Sequence, residues 1–371
     1  AAVDVPGAID ELTANGRAHA GTRGAFLAAL GESLQVMWDL AEEVRGRGPR
    51  VPYQRCVLAS TGNSPEPSRP EAKRERLAEL LRAPTEPQRL LAAVDAWRGE
   101  RLVPRQAIKL LASAFIAQLE EGTRRHLVPH LPAALHAVPR ANVEFLPIDE
   151  APFSGSMNYL GRARQPDGSP RYEATYEINA ALQISVPEFV DLVAHEVVPG
   201  HTTHFALTQA LYIQGKLGFE ATVLTMNTRG ATLAEGLANN AILMALGVKD
   251  IEELPDPDLQ IGMLLAFLQD DAKNQSSWLT WEEGRPQDEV ARVLRSDYLV
   301  SEERAGKLSG AWGRHPLNGR MYLPAYRAGT EKVAELRRRH PPEKVIPALY
   351  QAFGLVDVVT IDRVLGAQFR D

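Results

Sequence analysis

The sequence predicts a mainly α fold with a small β element. Apolar residues recur at three- and four-residue steps over most of the chain, while strand-favouring Val, Ile, Phe, Tyr and Thr gather in two short central stretches. In the N-terminal part, Phe26, Leu30, Leu34, Met37, Leu40 and Val44 share one helical stripe, and Ile108, Leu111, Phe115 and Leu119 share another. Between them Ser60–Pro70 is dense in Ser, Gly, Asn and Pro. Proline's fixed φ and missing donor suit neither helix nor ladder, so this segment reads as a loop. Pro87 and Pro104 stand where a first helical turn accepts proline. At least four helices are expected before residue 130.

Asn142–Pro147 and Tyr172–Asn179 read as short strands, with Gln165–Pro170 supplying a turn between them. Ser185-Val186-Pro187-Glu188 has capping-box spacing ahead of Phe189, Val190, Leu192 and Val193, which starts a buried helix at Ser185. Helical patterns follow at Leu233–Leu246, Leu259–Phe267, Asp288–Leu294, Gly329–Arg339 and Pro342–Phe353. The run Arg337–His340, at a helix end before two prolines, reads as solvated surface. Residues 1–140 form a helical N-terminal region and 141–371 carry the chemistry, within two units or one continuous helical domain.

The 371 residues are 44% hydrophobic and 24% charged, enough apolar material for a folded core. Forty-one Lys and Arg against 47 Asp and Glu give a net charge of −6, with both signs interspersed, so nucleic acid is not an expected partner. The single cysteine, Cys56, permits no internal disulfide and no thiolate metal cluster, and a cytoplasmic location is the expectation. Asp4, Asp10 and Glu11 do not suit a signal peptide, and no apolar run approaches the ~18–20 residues that cross a bilayer, so no membrane partner is expected. Oligomeric state is not legible at this level.

Three of the nine histidines fall in Ala194-His195-Glu196-Val197-Val198-Pro199-Gly200-His201-Thr202-Thr203-His204, directly after the capped helix. In H-E-x-x-H, two histidines four apart share a helical face and bind zinc, with the Glu between them handling a proton. Here the spacing is six, which on a regular helix would leave His195 and His201 roughly 120° apart around the axis. Pro199 lacks the amide that would bond the His195 carbonyl, and Gly200 accepts unusual dihedrals, so the pair can break the helix and bring His201 back. A third ligand is still needed. Glu235, in Leu233-Ala234-Glu235-Gly236-Leu237-Ala238, is a carboxylate among small apolar residues. An ion pair with Arg229 is its alternative reading. His204, one turn beyond His201, reads as support or packing rather than as a ligand.

His-Glu-x-x-Pro-Gly-His followed by Glu-Gly-x-Ala resembles the uncharacterised bacterial family DUF885, itself similar to zinc metallopeptidases with glutamate as third ligand. The likeness covers roughly residues 155–350, including Asp167-Gly168-Ser169 upstream and Tyr326-x-x-Gly329 downstream. It implies a large helical zinc-metallopeptidase-like (gluzincin-like) fold with the small β element beside the motif helix. It also implies His195, His201 and Glu235 as metal ligands and Glu196 as general base or acid. Leu237 and Asn239 stand where the family usually has an aromatic pair, Arg320–Ala325 departs from its usual run, and Asp270 with Asn274 replaces an Asp…His pair. Tyr326 is the candidate oxyanion donor, and His315, beside Arg314 in the Trp312–Pro316 loop, is a candidate substrate contact.

The expected function is a zinc-dependent hydrolase cutting an amide bond of a small peptide or peptide-like substrate, with one zinc per chain and Glu196 taking a proton from the attacking water. A strand at Tyr172–Asn179, beside the motif helix, would be available to an extended substrate backbone. The alternative is a lyase, cyclase or oxygenase of specialised metabolism that holds zinc or iron on the same scaffold.

Overall fold

A computed structural model describes residues 4–148, 155–179, 183–352 and 354–365. Among the described residues seven α-helices come first: α1 (Val5–Ala18), α2 (Thr22–Val44), α3 (Tyr53–Thr61), α4 (Glu71–Leu81), α5 (Pro87–Glu100), α6 (Ile108–His126) and α7 (Ala133–His136). The strands β1 (Val143–Ile148), β2 (Gly155–Tyr159) and β3 (Ala174–Asn179) follow. The chain continues through α8 (Val186–Glu196), α9 (His201–Ile213), α10 (Arg229–Asn239), α11 (Ala241–Leu246), α12 (Pro257–Trp281), α13 (Gln287–Asp297), α14 (Glu302–Lys307), α15 (Asn318–Met321), α16 (Leu323–Arg339) and α17 (Pro342–Tyr350). The fold is mainly helical. No described helix is long and apolar enough to cross a membrane.

Pro87 opens α5 and Ser185 caps α8, accepting from the Glu188 amide. The returning arm of that capping box is altered, because Ser185 Oγ donates to Glu188 Oε2 at 2.7 Å and the carboxylate also takes the Arg98 guanidinium. The expected loop begins at Gly62, two residues late, since α3 continues through Ser60 and Thr61. Pro342–Phe353 is helical as far as Tyr350, and Phe353 lies outside the described residues. Arg337 is a correction: it is 7% exposed and donates to Asn240 Oδ1 at 2.9 Å, so it braces the end of α10 instead of meeting solvent.

The sheet has the order β1-β3-β2, with β1 parallel and β2 antiparallel to β3. The two expected strands are present, and β2 is an addition between them whose Gly-Ser-Met-Asn-Tyr carries no β-branched residue. Its presence corrects the substrate role expected for Tyr172–Asn179. Both edges of β3 are taken, and β2 is the strand that lies against α8 and α9.

One core joins Leu77, Leu90, Val94 and Trp97 of the N-terminal helices to Phe189, Val193 and Leu265, and so crosses residue 140. A second core gathers Leu207, Leu237, Val333 and Leu349 from α9, α10, α16 and α17. The chain passes from the first to the second between Val198 and Ala206. Pro199, Gly200 and His201 lie in that crossing.

Candidate metal centre

Helix α8 closes with Val197 N–H donating to the Val193 carbonyl, and Val197 itself, at φ −114° and ψ −82°, has left helical space. Gly200 N–H then reaches back to the Ala194 carbonyl at 2.9 Å, and α9 starts at His201. The break expected at residues 199–200 is therefore present. Glycine is required there by close approach, because a Cβ on Gly200 would lie 1.8 Å from the His195 carbonyl oxygen and 2.5 Å from that of Ala194. The consequence is local: the imidazoles of His195 and His201 meet edge to face, with centroids 4.7 Å apart.

Glu235 comes from the middle of α10. That helix meets α16 at backbone contact, since a Cβ on Gly236 would sit 2.2 Å from the Gly329 carbonyl oxygen and one on Gly329 would sit 2.0 Å from that of Thr232. Two short sequence features, Glu235-Gly236 and Tyr326-x-x-Gly329, are thus one contact. Their closeness brings Tyr322 and Tyr326 beside the carboxylate, and Tyr322 donates its hydroxyl to Glu235 Oε1 at 2.7 Å. Tyr322 escaped the sequence reading, although its i, i+4 spacing from Tyr326 was a usable signal. Arg229, the alternative partner for Glu235, pairs with Glu32 instead at 2.9 Å.

His195, His201 and Glu235 form a group whose donor atoms lie within 4.8 Å of one another. His195 Nε2 is 3.6 Å from Glu235 Oε2, and His201 Nε2 is 3.7 Å from Oε1. His195 donates Nδ1–H to Asn239 Oδ1 at 2.7 Å, which leaves a lone pair on Nε2. Protonation of that nitrogen is opposed by burial, then by His201 and Lys273, which hold the ring's pKa well below its ordinary value. Two acceptors therefore face each other in a buried site, and Glu235 Oε2 and His201 Nδ1 make no hydrogen bond. A cation resolves such an arrangement, and the donor set of two imidazoles and a carboxylate fits a zinc-type ion.

Around this group runs a polar chain. Asn239 Nδ2 donates to Asp270 Oδ2 at 2.7 Å and to Thr330 Oγ1 at 2.8 Å, and Lys273 Nζ donates to Asp270 Oδ1 at 3.0 Å. The same ammonium lies 3.2 Å from the centre of the Tyr326 ring, a cation–π contact. Asn239, one of the departures from the family pattern, and Asp270 together orient the His195 ring. Asn274 points elsewhere, donating to the Glu66 carbonyl and Ser68 Oγ of the loop before α4.

A cavity of about 540 Å³ opens beside the group, with His195, Glu196, Asn239, Asp270, Lys273 and Tyr326 in its wall. Burial, and then the charge of Glu235, push the Glu196 carboxyl up to about 8. The Tyr322 and Tyr326 phenols are raised well above their ordinary value, chiefly by burial, so both hydroxyls keep their protons. His204 is fully buried, its basicity pushed down to about 3 by burial and by His201, and it packs against Phe205 and Tyr350 outside the ligand group. His315 is not brought to the cavity. It is exposed, and its Nδ1 accepts the Leu317 and Asn318 amides at the start of α15, while Arg314 donates to the Arg285 carbonyl.

No family model matches the chain, and no curated protein matches it. In fold it is similar to a protein from Colwellia psychrerythraea that is provisionally classed as a lipoprotein, with a TM-score of 0.59 and 16% identity over 91% of this chain and 60% of that one. It is equally similar to another provisionally classed lipoprotein, of unknown function, from Shewanella oneidensis, with a TM-score of 0.59 and 13% identity over 91% of this chain and 65% of that one. The chain spans less than two thirds of either protein's length. At these identities the likeness concerns the fold alone.

Proposed function

We propose that the protein is a zinc-dependent hydrolase of the DUF885 type that cuts an amide bond in a small peptide or peptide-like molecule. The observation that carries this reading is the convergence of His195, His201 and Glu235 on one point, with Glu196 in the wall of the same cavity. An ion held there would act as a Lewis acid toward a carbonyl and acidify a water molecule. The chain's own residues do the rest. Asn239 fixes the ring of His195 so that Nε2 faces inward, and Tyr322 holds Glu235 through Oε1, leaving Oε2 for ligation. Glu196, which receives the Met157 amide and whose carboxyl is pushed up to about 8, can take a proton from water and return it to a leaving amine near neutral pH. Tyr326 keeps its phenolic proton and can donate it to a developing oxyanion.

The test is metal analysis of the purified protein together with a mass-spectrometric screen of short peptides. One zinc per chain and cleavage abolished by chelation support the reading. Absence of stoichiometric zinc, or cleavage indifferent to chelation, overturns it.

A further inference from the structure

The cavity beside the metal centre carries charges of both signs, and most are matched within the protein. Arg98 meets Glu188 at 2.7 Å, Lys273 meets Asp270 at 3.0 Å, and Lys307 meets Glu303 at 2.6 Å. The Arg304 guanidinium lies over the Trp312 ring, 5.7 Å from its centre. Asp191 differs. Its carboxylate lines the cavity, its Oδ1 is sealed from solvent, and it makes no hydrogen bond or ion pair among the described residues.

Its place on α8 gives this a direction. Asp191 and His195 are four residues apart and share a face of the helix, so their backbones are separated by about 6 Å along the axis. The metal ligand and the unmatched carboxylate thus stand one turn apart on the same wall. An uncompensated carboxylate in such a setting lacks a cation more than it lacks a neutral donor.

We propose that Asp191 binds the positively charged amino group of the substrate, so that the cavity takes short peptides or peptide-like amides with a free amine close to the bond being cut. The proposal rests on the hydrolase reading and names its substrate class. An extended residue spans about 3.3–3.6 Å, so a 6 Å separation places the amine within one or two residues of the reacting carbonyl. Burial, and then the nearby charges of Asp270 and Glu188, push the Asp191 carboxyl up to about 8, in keeping with a missing counter-charge.

The experiment measures binding and needs no turnover. Calorimetry at pH 8 on chelator-treated protein compares alanyl-alaninamide with its N-acetyl derivative, two probes that carry no carboxylate. The wild-type protein is expected to bind the free amine at least tenfold more tightly, and Asp191→Asn, close in shape, to bring the two within about twofold. Equal affinity in the wild-type protein, no binding of either probe, or a preference that survives in Asp191→Asn overturns the proposal. Because the wild-type comparison stands alone, a poorly folding variant does not rescue it. Hydrolysis of N-acetylated peptides as fast as free ones would keep the hydrolase reading and remove the amine anchor. Absence of zinc together with a strong amine preference would do the reverse.

Discussion

His195 donates its Nδ1–H to the side-chain oxygen of Asn239, 2.7 Å away, and Asn239 in turn donates to Asp270. A neutral amide stands between the imidazole and the carboxylate that would otherwise orient it. Asn239→Leu removes the acceptor while keeping the approximate volume. Zinc affinity in a chelator competition is expected to fall about 10- to 100-fold with the far-ultraviolet spectrum unchanged. Unaltered affinity would take Asn239 out of the site.

Gly200→Ala places a methyl group against two backbone carbonyls that cannot move independently. Urea unfolding is expected to show a loss of about 3 kcal/mol or more, with zinc binding impaired because His201 begins at that point. A loss below about 1 kcal/mol would mean that the crossing relaxes around the added carbon.

The proposed roles of the two tyrosines predict different losses. Tyr322→Phe strips Glu235 Oε1 of its donor in a buried site, so zinc affinity should drop by about 1.5–3 kcal/mol, or roughly 10- to 100-fold. Tyr326→Phe should hold zinc within a few-fold and lower kcat instead. The opposite pattern would exchange their roles.

Glu196→Gln conserves shape and removes the proton acceptor. The variant is expected to keep its zinc and lose turnover by about 10²–10⁴-fold on any peptide the wild-type protein cleaves. Near-normal kcat with bound zinc would exclude Glu196 from proton transfer.

In the metal-free chain burial pushes the Asp191 and Glu196 carboxyls up to about 8, whereas unfolded carboxyls release their protons near pH ~4. The native state therefore binds more protons than the unfolded one across that interval, and stability rises as pH falls. For chelator-treated protein, unfolding free energy should increase from about pH 9 to about pH 7.5, above the range in which the unfolded histidines take up protons that buried His195, His201 and His204 refuse, with each carboxyl contributing at most about 1.4 kcal/mol per pH unit. Asp191→Asn should remove roughly half of that slope. A flat profile in the wild-type protein would show that these carboxyls titrate normally.

Much of this arrangement was legible in the chain because it is local. The Ser185 cap, the break at Pro199-Gly200 and the Glu235-Gly236 step are each written within a few residues, and each governs its own stretch of backbone. Helix α12 shows what was not. Its apolar period supported only Leu259–Phe267, yet the helix runs to Trp281, burying Asp270, Asp271, Lys273, Asn274, Gln275, Ser276 and Ser277. Three of those polar side chains are satisfied by distant partners: Asp271 by Lys73, Asn274 by Ser68 and Ser277 by Tyr53. Periodicity cannot register a face that is buried through hydrogen bonds to residues some two hundred positions away. For the same reason the pairings of Asn239 with His195 and of Tyr322 with Glu235 emerged only when the fold joined them.

The meeting of Gly236 with Gly329 also limits how this scaffold can diversify. Where two main chains touch, no side chain is left to trim or enlarge, so neither helix can be adjusted in small steps. On the hydrolase reading, new substrate preferences are more readily written elsewhere in the cavity lining, where Ala266, Gln269, Glu303, Lys307 and Trp312 contribute side chains. A mutant library aimed at altered selectivity would belong on those five positions, with α10 and α16 left as they are.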